Sequence, residues 1–178
     1  MNVSQMAPLL TGIIAALIAL VGYWITQHQK RRERRAEVFA SALEAIREYE
    51  QTPYLIRRRE GPDATTRARI SERLSASAAR RRYYEAVLCL DSPLVAESYK
   101  VLLQRTRRQV GPYRSEAWKQ PVIVRDEEFP GSAYYPYDSE EEWDLCLLAM
   151  RSELSAFAAL RRRGTRRRLA ALVASRTS

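Results

Sequence analysis

The chain has 178 residues, of which 46% are hydrophobic and 29% charged, and its 30 basic and 21 acidic side chains give a net charge of +9. One histidine and two distant cysteines, Cys89 and Cys146, exclude a disulfide scaffold and a cysteine–histidine metal site. The basicity is uneven: residues 30–35 carry +4 and residues 161–178 carry +7, leaving −2 elsewhere, which argues against a uniformly basic nucleic-acid-binding domain.

Residues 7–26 read APLLTGIIAALIALVGYWIT, without a charged side chain, and KRRERR follows at Lys30 to Arg35. Twenty helical residues rise roughly 30 Å, about the thickness of a bilayer hydrocarbon core. The run lacks the basic n-region and small-residue cleavage site of a signal peptide, and the polar stripe of a surface helix. It therefore predicts a transmembrane helix over 7–27. Tyr23 and Trp24 are placed at the headgroup zone, with Lys30, Arg31, Arg32, Arg34 and Arg35 holding that end in the cytoplasm. Residues 1–6 then form a short extracytoplasmic N-terminus, the protein is single-pass in the cell membrane, and the rest is cytosolic. Gly12 with Ala16 and Ala15 with Ala19 are spaced as a small-residue face for helix–helix pairing.

Residues 28–163 read as a cytosolic helical domain. Phe39, Leu43 and Ile46, with Ala42 and Tyr49 beside them, extend the helix out of the membrane. Pro53 predicts a bend and Gly61-Pro62 an end. A second helix spans about 63–91, with Ile70, Leu74, Ala78, Tyr84 and Leu88 inward, and Arg67, Arg69, Arg73 and Arg80 to Arg82 mainly off that face. Arg57 to Arg59 and Arg80 to Arg82 read as solvated triplets pairing with nearby acids. A third helix starts with Ser92 as N-cap and Pro93 at the first position, and runs to about Gln109. Gly111-Pro112 is expected to break or bend it.

Residues 120–138 hold three prolines and four aromatic residues and read as an ordered loop packed over the open end of a bundle. Ser139 to Glu142 matches a capping box, with Ser139 capping the Glu142 N–H and Glu142 reaching back. The helix behind it shows Trp143, Leu147, Met150, Leu154, Phe157 and Leu160 on one face and is expected to stop at Gly164. Residues 164–178 then form a basic tail. Four amphipathic segments with short breaks give an all-α fold, one transmembrane helix followed by a small helical bundle.

Neither a phosphate-binding glycine loop nor a nucleophile elbow nor a zinc motif occurs, and His28 sits at the membrane boundary. The reading is a non-enzymatic protein with no catalytic, metal-binding or cofactor-binding residues and no cofactor. Both cysteines are expected to be buried thiols. The partners expected are anionic lipid headgroups at KRRERR and an unidentified protein at the helical domain. The alternatives are a membrane-tethered nucleic-acid binder using Arg161, Arg162, Arg163, Arg166, Arg167 and Arg168, and a structural homo-oligomer built on the small-residue face. Those six arginines could equally meet anionic lipid.

Phe39 to Arg59, FASALEAIREYEQTPYLIRRR, behind a single span and basic flank, and the later Gly111 to Trp118 stretch resemble a set of small actinobacterial and actinophage single-pass membrane proteins of uncharacterised activity. The resemblance implies that topology, with a cytosolic helical domain and a bacterial or phage host. It supplies no activity and no site residues.

Overall fold

A computed structural model describes residues 3–123, 135–155 and 158–177, with side chains for 16–123, 135–155 and 161–175. The described residues are all-helical: α1 (Val3–Glu50), α2 (Thr52–Arg57), α3 (Ala64–Asp91), α4 (Pro93–Lys119), α5 (Glu140–Leu154) and α6 (Ala158–Thr177). They fall into two compact units, Met1–Glu37 and Val38–Ser178.

The first unit is helical, from α1. Leu17, Ile18, Leu20, Val21, Tyr23, Trp24 and Ile25 are all exposed. Among the described residues no helix is long and apolar enough to cross a membrane. Residues 7–15 of the apolar run lie outside the described side chains.

The second unit is a bundle around α4, which packs against α2, α3, α5 and α6. Its main core joins Phe39, Ala42 and Ile46 of α1, Leu88 of α3, Tyr99, Leu102 and Leu103 of α4, Cys146 and Met150 of α5, and Leu169 of α6. Full burial of an aliphatic side chain such as Leu88 or Leu102 contributes about 2 kcal/mol. A smaller core holds Tyr54, Ile56, Ile70, Ala117 and Tyr135. There the Tyr54 and Tyr135 rings meet edge to face at 5.0 Å, and the Tyr135 N–H donates to the Tyr54 hydroxyl at 3.1 Å.

Local chemistry sets the boundaries. Pro53 has no N–H for the Tyr49 carbonyl, and the Thr52 hydroxyl donates to it instead at 2.8 Å. α1 therefore ends at Glu50 and α2 starts afresh. Asp63 caps α3, accepting from the Thr66 N–H and hydroxyl at 2.8 Å each, and these bonds hold its carboxyl below the usual range. Ser92 caps α4 ahead of Pro93, as the sequence predicts.

Several boundaries depart from expectation. α4 does not break at Gly111-Pro112 but continues to Lys119. Gly111, Pro112 and Arg108, whose carbonyl loses its donor to the proline, are on the exposed side, while Val110 and Ala117 are fully buried and hold the helix on its core. Ser139 begins α5 without a side-chain cap, because both it and Glu142 are buried in the bundle. The inward face of α5 is Glu142, Leu145, Cys146, Ala149, Met150, Ser152 and Glu153, whereas Trp143, Leu147 and Leu154 lie at its edges. Phe157 and Leu160 lie outside the described side chains. The helix ends at Leu154 rather than Gly164, which is an interior residue of α6. Most of the 120–138 loop lies outside the described residues, and Tyr135 and Tyr137 are the parts of its aromatic set that can be placed.

Candidate functional site

The anticipated site residues divide into three places. Tyr23, Trp24, Lys30, Arg31, Arg32 and Arg34 are exposed on α1, and Arg35 is half-buried. Trp24 and His28 stack at 5.6 Å, one turn apart. On the small-residue face, Ala16 and Ala19 are exposed, while Gly12 and Ala15 lie outside the described side chains. The C-terminal arginines lie on α6. Arg161, Arg163, Arg166, Arg167 and Arg168 are exposed there, whereas Arg162 is engaged in a bidentate pair with Glu153, Nε and Nη2 each at 2.7 Å. α6 is also seated on the bundle through Leu169 and Thr165, only 2% and 3% exposed.

The sequence reading missed a set of charged groups inside the bundle. Glu50, at the end of α1, is 2% exposed. It receives the Arg47 guanidinium at 3.0 Å and the Trp143 indole N–H at 3.3 Å, while its carbonyl accepts from the Tyr137 hydroxyl at 2.6 Å. Arg47 also lies 4.0 Å over the Trp143 ring. Burial pushes the Glu50 carboxyl above its ordinary pKa, and the Arg47 charge opposes this. A second buried carboxylate, Glu142, stands 3.9 Å from Arg105, which also grips Asp138.

Each arginine triplet turns part of itself inward, Arg57 and Arg59 in one and Arg81 in the other, while Arg58, Arg80 and Arg82 are exposed as expected. Arg59 donates to the Ile56 and Ala117 carbonyls and to that of Gln120, and Arg57 donates to the Pro121 carbonyl at 2.7 Å. Arg59 therefore caps the C-terminal ends of α2 and α4, where cations are favoured, and Arg57 holds the chain just beyond α4. Burial, followed by the charges of Arg57 and Arg67, lowers the Arg59 pKa. Arg80 does pair with acids, Glu44 at 3.1 Å and Glu48 at 3.4 Å. Its neighbour Arg81 points into the bundle, donates to Ser77 at 2.8 Å and lies 3.8 Å over the Tyr49 ring. The signal was present in the sequence: Ile70, Ser77, Arg81 and Leu88 share one helical face by their spacing of seven, four and seven.

A groove of about 510 Å³ runs between α5 and α6, with Leu145, Leu147, Leu148 and Leu172 in it and Glu141, Asp144, Arg151 and Arg168 around them. Among the described residues no three His, Cys, Asp or Glu side chains converge on a possible metal position. Cys146 is buried, with its thiol pushed up to about 12 by desolvation, whereas Cys89 is exposed, contrary to the expectation of two buried thiols. Comparison with protein families, with characterised proteins and with solved structures yields no match.

Proposed function

We propose that this is a single-pass, membrane-anchored, non-enzymatic protein whose helical domain engages a protein partner at the inner face of the cell membrane. One observation carries the reading: the large apolar side chains between Leu17 and Ile25 are exposed around α1, one turn before KRRERR. An apolar surface on all sides of a helix is stable in lipid or inside a protein, and is disfavoured in water. The basic flank supports an N-out, C-in orientation and contact with anionic headgroups. The α5–α6 groove, apolar within and bearing both signs of charge at its rim, is chemistry suited to a protein partner. The resemblance at Phe39 to Arg59 points to a bacterial or phage setting.

The test is alkaline carbonate extraction of membranes from cells expressing the full chain, followed by cross-linking and pull-down from solubilised membranes. The chain stays in the pellet and brings down a partner if the proposal holds. Release into the carbonate supernatant refutes the anchor, and repeated recovery of the chain alone refutes the partner.

A second reading, nucleic-acid binding, is favoured by the exposed Arg161, Arg163, Arg166, Arg167 and Arg168 on α6. Replacing those five by Gln abolishes salt-sensitive binding under this reading, and unchanged binding refutes it.

A further inference from the structure

The outward face of α5 carries a pattern that is its own complement. Asp144, Leu147, Leu148 and Arg151 line the groove between α5 and α6, together with Arg168 and Leu172 of α6. Their spacing of three, one and three sets these four α5 residues on about a third of the helix circumference. Cys146, Ala149 and Met150 turn the other side of α5 into the core. Asp144 and Arg151 are exposed, and Leu147 and Leu148 are half-buried.

The two charges have no use within the described chain. Among the described residues neither Asp144 nor Arg151 forms an ion pair. They stand seven residues apart, about 10 Å along the helix axis, too far to meet each other. No residue of opposite charge lies three or four positions from either along α5. Arg168 shares the groove with Asp144 without pairing with it.

Reversing the face about the midpoint between Leu147 and Leu148 exchanges Asp144 with Arg151 and one leucine with the other. An unlike partner requires no such symmetry. Two copies meeting through a two-fold axis do require it, because each residue pair then occurs twice, with the roles of the copies exchanged. We propose that two copies of this chain pair through this face, their α5 helices antiparallel, with leucine against leucine at the centre and Asp144 against the partner's Arg151 at each end. The inference names the partner for the groove that the reading above assigns to protein binding, and it rests on that reading.

The test uses the full chain carrying a donor or an acceptor fluorescent protein at its C-terminus, reconstituted in phosphatidylcholine vesicles. Wild-type donor and acceptor copies show energy transfer that the unlabelled chain competes away. Asp144→Arg mixed only with itself, or Arg151→Asp mixed only with itself, needs a protein density about 10-fold higher or more for half-maximal transfer, since each reversal sets two pairs of like charges face to face. An Asp144→Arg donor with an Arg151→Asp acceptor regains transfer, because both contacts are then opposite in charge. That rescue separates lost recognition from a damaged fold. Arg167→Asp, exposed on α6 outside the groove, behaves as the wild type. The proposal is overturned if the wild type shows no competable transfer, if the single reversals associate as the wild type does, or if the mixed pair does not recover. Absent transfer, together with pull-down of another protein that Asp144→Arg loses, overturns the second copy while leaving the groove to an unlike partner. A chain that does not insert into vesicles refutes the anchor alone, and the same transfer is then read in solution.

Discussion

Removing the Arg162 guanidinium tests whether the basic C-terminal segment is a structural part of the bundle. Arg162 makes two charge-assisted bonds of 2.7 Å to Glu153, whose side chain is 1% exposed while that of Arg162 is 47% exposed. Breaking a fully buried ion pair by deleting one partner costs about 3–5 kcal/mol, and an exposed pair is worth at most about 1 kcal/mol. This pair is buried on one side only, and water can enter the space the guanidinium leaves. Arg162→Gln is therefore expected to destabilise the domain by about 2 kcal/mol, between those limits. For a chain of this size that corresponds to a fall in Tm of about 4–8 °C. The measurement is thermal or urea unfolding of the full chain in detergent, followed by tryptophan fluorescence. Arg167→Gln, an exposed position on the same helix, is the control and stays within about 0.5 kcal/mol of the wild type. Adding Glu153→Gln to Arg162→Gln recovers part of the loss, because much of the penalty is a buried charge left without its arginine. The reasoning fails if Arg162→Gln and Arg167→Gln are indistinguishable. It also follows that deleting residues 161–178 removes Leu169 from the core, so lost nucleic-acid binding in that truncation would not separate a missing contact from a damaged fold.

Three further outcomes are expected. Pro112→Ala stabilises the domain by about 1–3 kcal/mol in urea unfolding, since it returns a donor to the Arg108 carbonyl within α4, and a loss of stability would contradict the placement. A disulfide-exchange thiol reagent at pH 8 titrates Cys89 rapidly in the native chain and Cys146 only after denaturation, because the latter thiol is buried with a pKa of about 12, and rapid reaction of both would refute this. Glu50 has a native pKa above its unfolded 4.5, so the native state holds the proton more tightly and stability falls as pH rises through the window above 4.5. Glu50→Gln is expected to flatten that slope, and an unchanged profile of Tm against pH would remove the attribution.

How much of this was readable beforehand depends on which interactions are local. The starts of α3 and α4 were legible because Asp63 and Ser92 act within three residues of themselves, as a cap must. The amphipathic faces were legible from period alone. The Ser139 capping box was not, since burial of Ser139 and Glu142 by the other helices overrides the local pattern. The ends at Gly111-Pro112 and Gly164 failed for a related reason: glycine and proline weaken a helix by a few kcal/mol at most, and tertiary packing of Val110, Ala117 and Leu169 outweighs that. The inward arginines were hidden by residue type. Arg is mostly exposed in general, so Arg57, Arg59 and Arg81 were assigned to water although Arg81 lies in phase with Ile70, Ser77 and Leu88.

The same comparison changes what the chain's charge means. Taken as a sum, +9 suggests a general attraction to anions, and the uneven distribution places it at the two ends. The structure sorts the arginines by what they touch. Arg57 and Arg59 hold carbonyls at or just beyond helix ends, Arg47, Arg105 and Arg162 meet buried acids, and these are structural charges whose removal should damage the fold. Arg31, Arg32 and Arg34, and Arg163, Arg166 and Arg167, are exposed at the ends, where their removal should change long-range attraction and its salt dependence while leaving stability alone. Arg81 fits neither group: it is buried against the Tyr49 ring and the Ser77 hydroxyl and forms no ion pair among the described residues. A buried cation held by a ring face and a neutral hydroxyl takes no part in long-range attraction, so the net charge of the chain overstates what its surface offers to an anion.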